Sequence, residues 1–471
     1  MAQKPSMRAL KNYRWQELGL FIIPFLILLM EMVQLLLARS VHEGVVATSS
    51  LTAKNFPTIE ALIPVLGLVG LLLAINILLS FSSFRKADQI LLPLVGLLSG
   101  IGVLMTTRLG PNLRPFPDPT LGTRQLIWLV LGLIVFLITL FGLRSMSWLS
   151  RYKYTWAALG IAMVSITLVN ALRVKNLDSP THDQLNIGPL ALQPSELLKI
   201  FLVIFFAAYL SENRDVVAAG NLRLGTLRLP PFRQLGPLAL MLALALLLFL
   251  GVRELGLALL IYGIFLCMIY LGSGKLSYVI SSLAIFFVLG FIGYSLFSYV
   301  RARFATVSID VVNWSNASEL AYQTPGGSFQ VVQGLIALCS GGIIGAGLGL
   351  GHPTVVPVIQ SDMVFTALGE ELGLAGLFAI IGIYLLIIYR GYRIAIEASD
   401  TFSQLLAAGL TSIFAIQTLI ISAGNMKLIP LTGIPLPFLS YGGSSIIANY
   451  IIIGILLRIS YNTAQKREGF A

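Results

Sequence analysis

The sequence predicts an all-α polytopic membrane protein of about twelve transmembrane helices, and three observations carry that expectation. Hydrophobic residues make up 57% of the 471 residues and charged residues only 11%, well below the share of about 25% found in soluble globular domains. The apolar residues gather into runs of roughly 20, the length that crosses a hydrocarbon core. The Lys and Arg residues concentrate in alternate connections between those runs, as they do when one side of the membrane is cytoplasmic.

From the N-terminus, the apolar runs fall at about 17–38, 60–80, 89–107, 124–143, 153–172, 195–212, 234–252, 255–272, 277–298, 363–389, 404–424 and 443–461. The first has no small-residue cleavage site after it, so it reads as an anchor helix rather than a removable signal peptide. With a cytoplasmic N-terminus, about nineteen Lys and Arg residues fall inside and about eleven outside, which puts both termini in the cytoplasm. The net charge of +11 is then a topology signal plus attraction to anionic lipid. Its cations are spread among loops, so it points to no nucleic acid. Cys267 and Cys339 lie in apolar segments, and neither a disulfide nor a metal is expected from them. His42, His182 and His352 share no zinc-ligand spacing.

The outer connection at 299–361 far exceeds the usual length of about 4–6 residues. Within it, Phe329–Leu338 is apolar and helix-capable but too short to span, so the segment reads as a structured lid that lies at the interface or re-enters. The glycines of Gly341–Gly351 read as a packed turn in which backbones approach closely. A nucleotide fingerprint would need a strand before them and a helix after. The triplets Asn313-Trp314-Ser315 and Asn316-Ala317-Ser318 carry no weight as glycosylation acceptors.

Candidate chemistry sits at the outer ends of the runs. Asp362 stands at the mouth of a helix, where an isolated Asp is ordinarily a cap. It follows the long loop, however, and Glu370 and Glu371 on the same helix are costly at bilayer depth unless paired or facing a polar cavity. Glu196 and Lys199, at i,i+3 after Gln193-Pro194-Ser195, read two ways. They form a self-neutralising pair, or a lysine that counters phosphate with Glu196 orienting it or helping to hold a divalent cation. Arg108, Arg124 and Arg253 oppose the positive-inside trend; each alone reads as snorkelling, and together they suit an anionic headgroup. Thr432–Ser445 is rich in Pro and Gly against an apolar run. Its backbone cannot face lipid and must be buried in protein or line a wet cavity, which makes Ser440 and Gly442 candidate substrate contacts.

Four motifs resemble one family. Gln193-Pro194-Ser195-Glu196-Leu197-Leu198-Lys199, Gly369-Glu370-Glu371-Leu372-Gly373, Thr432–Ser445 and Arg124-Gln125 are similar, in order, to segments of the SEDS family, the RodA/FtsW/SpoVE peptidoglycan glycosyltransferases. The resemblance covers about residue 89 to the C-terminus as a ten-helix core, so 1–88 reads as a two-helix N-terminal addition and 89–471 as the catalytic core, with the extracytoplasmic loop 299–361 before its helix at 363–389. The sequence departs from the family in three places. Pro357–Phe365 lacks the His of the common PEAHTDFIF, Arg253-Glu254-Leu255-Gly256 carries Glu where Asp is usual, and the basic-Trp patch common between 173 and 192 is missing.

The resemblance implies polymerisation of lipid II at the outer face of a bacterial cytoplasmic membrane. In that reaction the 4-hydroxyl of an acceptor sugar attacks the anomeric carbon of a lipid-linked donor with inversion, and undecaprenyl pyrophosphate leaves. Such a reaction needs a base and cations rather than two carboxylates. The resemblance makes Asp362 the base and a class B penicillin-binding protein the partner; Arg124 and Lys199 are candidate pyrophosphate contacts, and a Mg or Mn ion is a candidate cofactor. The resemblance leaves elongation, division and sporulation undistinguished. The rival reading is a precursor flippase or transporter, which the helix count suits; against it, the two halves show no internal repeat.

Overall fold

The computed structural model describes residues 13–42, 59–113, 116–173, 185–187, 190–214, 222–224, 227–229, 232–308 and 328–469. The Asn-x-Ser triplets, His182 and the cations Lys4, Arg8 and Lys11 lie outside the described residues, as does most of the segment 173–192 where the basic-Trp patch is missing. The chain is nearly all helical. The helices are α1 Trp15–His42, α2 Ile59–Phe81, α3 Leu91–Leu109, α4 Leu121–Gly142, α5 Met146–Arg151, α6 Lys153–Arg173, α7 Pro194–Glu212, α8 Phe232–Val252, α9 Leu255–Ser273, α10 Leu276–Leu296, α11 Ser298–Ala305, α12 Ser328–Gly341, α13 Val364–Glu397, α14 Thr401–Asn425 and α15 Gly443–Gly469.

Each predicted apolar run coincides with one of these helices, four of the runs extending one or two residues past a helix end. Among the described residues, ten helices are long and apolar enough to cross a membrane, α6 and α8 not being among them. Helix α10 shows how completely lipid-suited such a surface is: Phe287, Phe291 and Leu296 are all exposed on it. Two exceptions to the all-α expectation are small antiparallel hairpins, β1 Leu185–Ile187 with β2 Leu190–Leu192 and β3 Leu222–Leu224 with β4 Leu227–Leu229.

The chain divides into two compact units. The first comprises residues 1–140, 334–390 and 435–471. Its α1 packs on α2 and α3, and the buried positions Arg14, Glu17, Phe21, Leu28, Met32 and Leu35 recur with the helical period that sets one face of α1 against its neighbours. On α3, Gly96 and Gly100, four residues apart, admit that close approach: a Cβ at Gly96 would meet Leu72 at 2.8 Å and Phe21 at 3.3 Å, and one at Gly100 would run into Leu28.

A buried polar hub closes the near end. The Arg14 guanidinium donates to the carbonyls of Phe84 (2.8 Å) and Asp88 (2.7 Å) and pairs with Glu17, whose carboxylate also accepts from Asn76 at 3.0 Å. Asp88 in turn caps α3 through Ile90 N and Leu91 N and pairs with Arg390.

The second unit comprises residues 141–333 and 391–434. Helix α7, most of its positions buried, packs against α6, α9 and α14.

Candidate active site

In the first unit the segment before α13 is fixed by the Pro/Gly-rich loop. Ser440, 2% exposed, accepts from Leu436 N at 2.8 Å and donates its hydroxyl to the Ser361 carbonyl, while Tyr441 N donates to Gln360 O at 2.8 Å. The loop itself is held from behind. Gln125 donates to Ser440 O at 3.2 Å, Tyr384 donates to Pro437 O, and Phe438 is kept at φ +65° by burial and an edge contact with Tyr450 at 5.6 Å. A left-handed phenylalanine is strained, so the fold has over-determined this turn. Helix α3 meets it without side chain: a Cβ at Gly102 would lie 2.7 Å from Phe438 O.

Asp362 is the residue that follows this clip. It is partly exposed at the end of a turn, Ser361 Oγ donates to its carboxylate at 3.2 Å, and α13 begins two residues later at Val364. Gly442 is likewise partly exposed, and the hydroxyl of Ser440 is committed to Leu436 N and the Ser361 carbonyl. Arg124 projects a side chain 58% exposed and pairs with Asp118 at 3.0 Å.

A second assembly in the first unit explains Glu370 and Glu371. Helix α13 breaks at Gly373, whose φ of 67° and ψ of −172° only glycine adopts readily. The glycine turn repairs the interrupted ladder: Ala346 N donates to Glu370 O (2.9 Å), Gly347 N to Glu371 O (3.0 Å), Leu374 N to Gly342 O (3.0 Å) and Ala375 N to Ile343 O (3.0 Å). The close backbone approach expected of Gly341–Gly351 is therefore realised, with Gly342, Gly345, Gly347 and Gly349 all at positive φ. Arg108 donates to Glu371 at 2.9 Å and to Gly351 O at 2.7 Å, and Glu370 accepts from His352 N at 2.7 Å. Arg108 is thus paired and largely buried, not snorkelling.

In the second unit Lys199 is fully buried. Its ammonium donates to Glu196 at 2.8 Å and to Gln417 at 3.1 Å. Arg303 donates to Leu431 O (3.3 Å) and Thr432 O (3.4 Å), and Arg253, at φ +65°, lies 5.9 Å from the Tyr299 ring. Burial raises the Tyr299 phenol above its ordinary range against the opposing pull of Arg253 and Arg303. It remains a donor, to Leu250 O at 3.1 Å.

Sequence reasoning did not single out Gln417, Arg303, Tyr384 or the Arg14 hub. Gln417 and Asn76, polar residues inside apolar runs, were the available signals for the Lys199 contact and the Arg14 hub. Among the described residues no group of three or more His, Cys, Asp or Glu is gathered as for a metal ion, and Cys267 and Cys339 are free thiols.

A bundle of long apolar helices with a clipped, irregular loop beside an aspartate at a helix mouth defines a multi-pass membrane protein with its polar chemistry at helix ends. The chain belongs to the FtsW/RodA/SpoVE family, described as cell cycle proteins, which it matches over residues 88–465. It is 36% identical over 383 residues to the peptidoglycan glycosyltransferase RodA of Mycobacterium leprae, covering 80% of this chain and 78% of that one. It is 30% identical over 276 residues to a probable peptidoglycan glycosyltransferase FtsW of Geobacter metallireducens, covering 57% and 67%. Among solved structures it resembles, at 21% identity and a TM-score of 0.62 over 80% of this chain and 98% of the other, a chain from work on the structural coordination of polymerization and crosslinking by a peptidoglycan synthase complex. It also resembles Thermus thermophilus RodA at 21% identity, with a TM-score of 0.53 over 79% and 96%. The last two likenesses concern the fold.

Proposed function

We propose that this chain is a peptidoglycan glycosyltransferase that polymerises lipid II at the outer face of the bacterial cytoplasmic membrane, with Asp362 as general base. The observation that carries this is the 36% identity over 383 residues to a peptidoglycan glycosyltransferase RodA. The geometry supports it: Asp362 is partly exposed, and it is presented by a turn clipped at Gln360 and Ser361. A carboxylate presented beside an irregular loop can take the proton of an incoming sugar hydroxyl while the diphosphate leaves.

Arg124, largely exposed, is the cation proposed to meet an anionic headgroup; Arg108 and Lys199 spend their charge on Glu371 and Glu196. A Mg or Mn ion at the diphosphate is part of the proposal only as an aid to Arg124. The partner is a class B penicillin-binding protein, in keeping with the synthase complex whose chain shares the fold. Both termini lie in the cytoplasm, α6 and α8 complete twelve spans, and α1 and α2 precede the family-matching core, which begins at residue 88.

One observation favours the flippase reading: α13 is a discontinuous helix, the device transporters use at their binding sites. Purified chain in liposomes, assayed separately for lipid II translocation and for glycan formation with a penicillin-binding protein present, tests the two. Glycan formation is expected; translocation without glycan would reject the glycosyltransferase reading.

A further inference from the structure

Helix α1 lies outside the family-matching segment, yet it reaches the assembly around Glu370. Its buried face runs from Arg14 through Phe21 and Leu28, seated on Gly96 and Gly100 of α3, to Leu35, with Ala38 half-buried beyond it. There it meets the glycine turn: a Cβ at Gly349 would lie 3.1 Å from Ala38 Cβ and 3.2 Å from Leu35 Cδ1, and Leu35 is 4% exposed. Two residues on, Gly351 O accepts from Arg108, and His352 N donates to Glu370. The same turn supplies the hydrogen bonds that bridge the break in α13, the helix that begins after Asp362.

A glycine turn with four residues at positive φ has little intrinsic preference for one conformation and must be fixed by what packs on it. Its far side bonds to the broken helix, and Gly349 meets Leu35 and Ala38 of α1.

We infer that α1 is a positioning element of the active unit, in which Leu35 and Ala38 press on Gly349 to hold the turn that aims Arg108 and Glu370. At its other end the Arg14 hub anchors α1 to the carbonyls of Phe84 and Asp88, and Asp88 to Arg390 of α13, so the helix is fixed at both ends of the same unit. The consequence for catalysis rests on the glycosyltransferase reading; the consequence for the turn does not.

The test compares Leu35→Ala with Leu28→Ala, which removes an equally buried side chain from the same helix where it meets α3 alone of these two surfaces. All variants carry Cys267→Ser and Cys339→Ser. A spin label on His352→Cys reports the turn, and initial rates of lipid II polymerisation are measured on unlabelled protein with its penicillin-binding protein. In Leu35→Ala the label should gain mobility and kcat should fall about tenfold with KM little changed, as expected when a reacting geometry loosens. Leu35→Met should restore both, and Leu28→Ala should move neither beyond what its stability loss explains. Leu35→Val, the milder truncation, gives the same pattern in smaller measure should alanine prevent folding. Label spectra and rates for the Leu35 variants that match those of Leu28→Ala would overturn the inference. A parent chain that makes no glycan while the label still responds to Leu35→Ala would reject the enzymatic reading and leave α1 as the element that sets the turn.

Discussion

Lys199 has no exposed surface, and its ammonium is shared between Glu196 and Gln417. Removing one partner of such a pair leaves an uncompensated buried charge, which typically costs about 3–5 kcal/mol, whereas replacing both by apolar groups of similar size is near neutral. Lys199→Ala should therefore lower the unfolding midpoint sharply in detergent, and Lys199→Met combined with Glu196→Leu should recover most of it. If Lys199→Ala unfolds like the parent, the ammonium is not paired as the structure has it. Sequence spacing made the Glu196 partner legible, because i,i+3 residues share a helix face. Gln417 was not, since a contact between residues 218 positions apart depends on how α7 and α14 pack. By the same full burial, Lys199→Glu would put two carboxylates side by side in a buried site and should destabilise the fold.

At the scale of elements, α13 carries the clearest consequence. Gly373 holds a conformation that costs other residues about 1–3 kcal/mol, and a Cβ there would also press on Ile343 O. Gly373→Ala should reduce both the yield of monodisperse protein and its unfolding midpoint. An unchanged midpoint would mean that α13 runs continuously. Apolar runs of membrane length made the long helices legible, but a run of hydropathy does not reveal a break whose backbone is satisfied by another segment. The glycine turn and Gly369-Glu370-Glu371-Leu372-Gly373 were each visible as unusual strings; that they pair was not. The hairpins carried a signal that helix-length windows hide, since Leu222-Arg223-Leu224 and Leu227-Arg228-Leu229 alternate apolar and polar residues around a Gly-Thr pair.

For the whole molecule, the placement of Lys and Arg predicts an orientation that labelling tests directly. In a chain carrying Cys267→Ser and Cys339→Ser, a cysteine at position 318 should react with an impermeant maleimide in intact protoplasts, and one at position 228 should not. The reverse pattern would put loop 299–361 in the cytoplasm and remove Asp362 from its substrate. Composition alone made the membrane class legible, and four ordered motifs made the family legible. The role of the first helix was not, because Arg14 reads as one more inside cation until its carbonyl partners at 84–88 are seen.

The central claim is that Asp362 performs the proton transfer of glycan polymerisation. Asp362→Asn keeps the size of the side chain and most of its capping capacity, so stability should change by no more than about 1 kcal/mol. Loss of a general base costs about 10²–10⁴ in rate. Reconstituted with its penicillin-binding protein and lipid II, the variant should bind that partner as the parent does and make little or no glycan; polymerisation at near the parental rate would contradict the account and turn attention to Glu370 and Glu371.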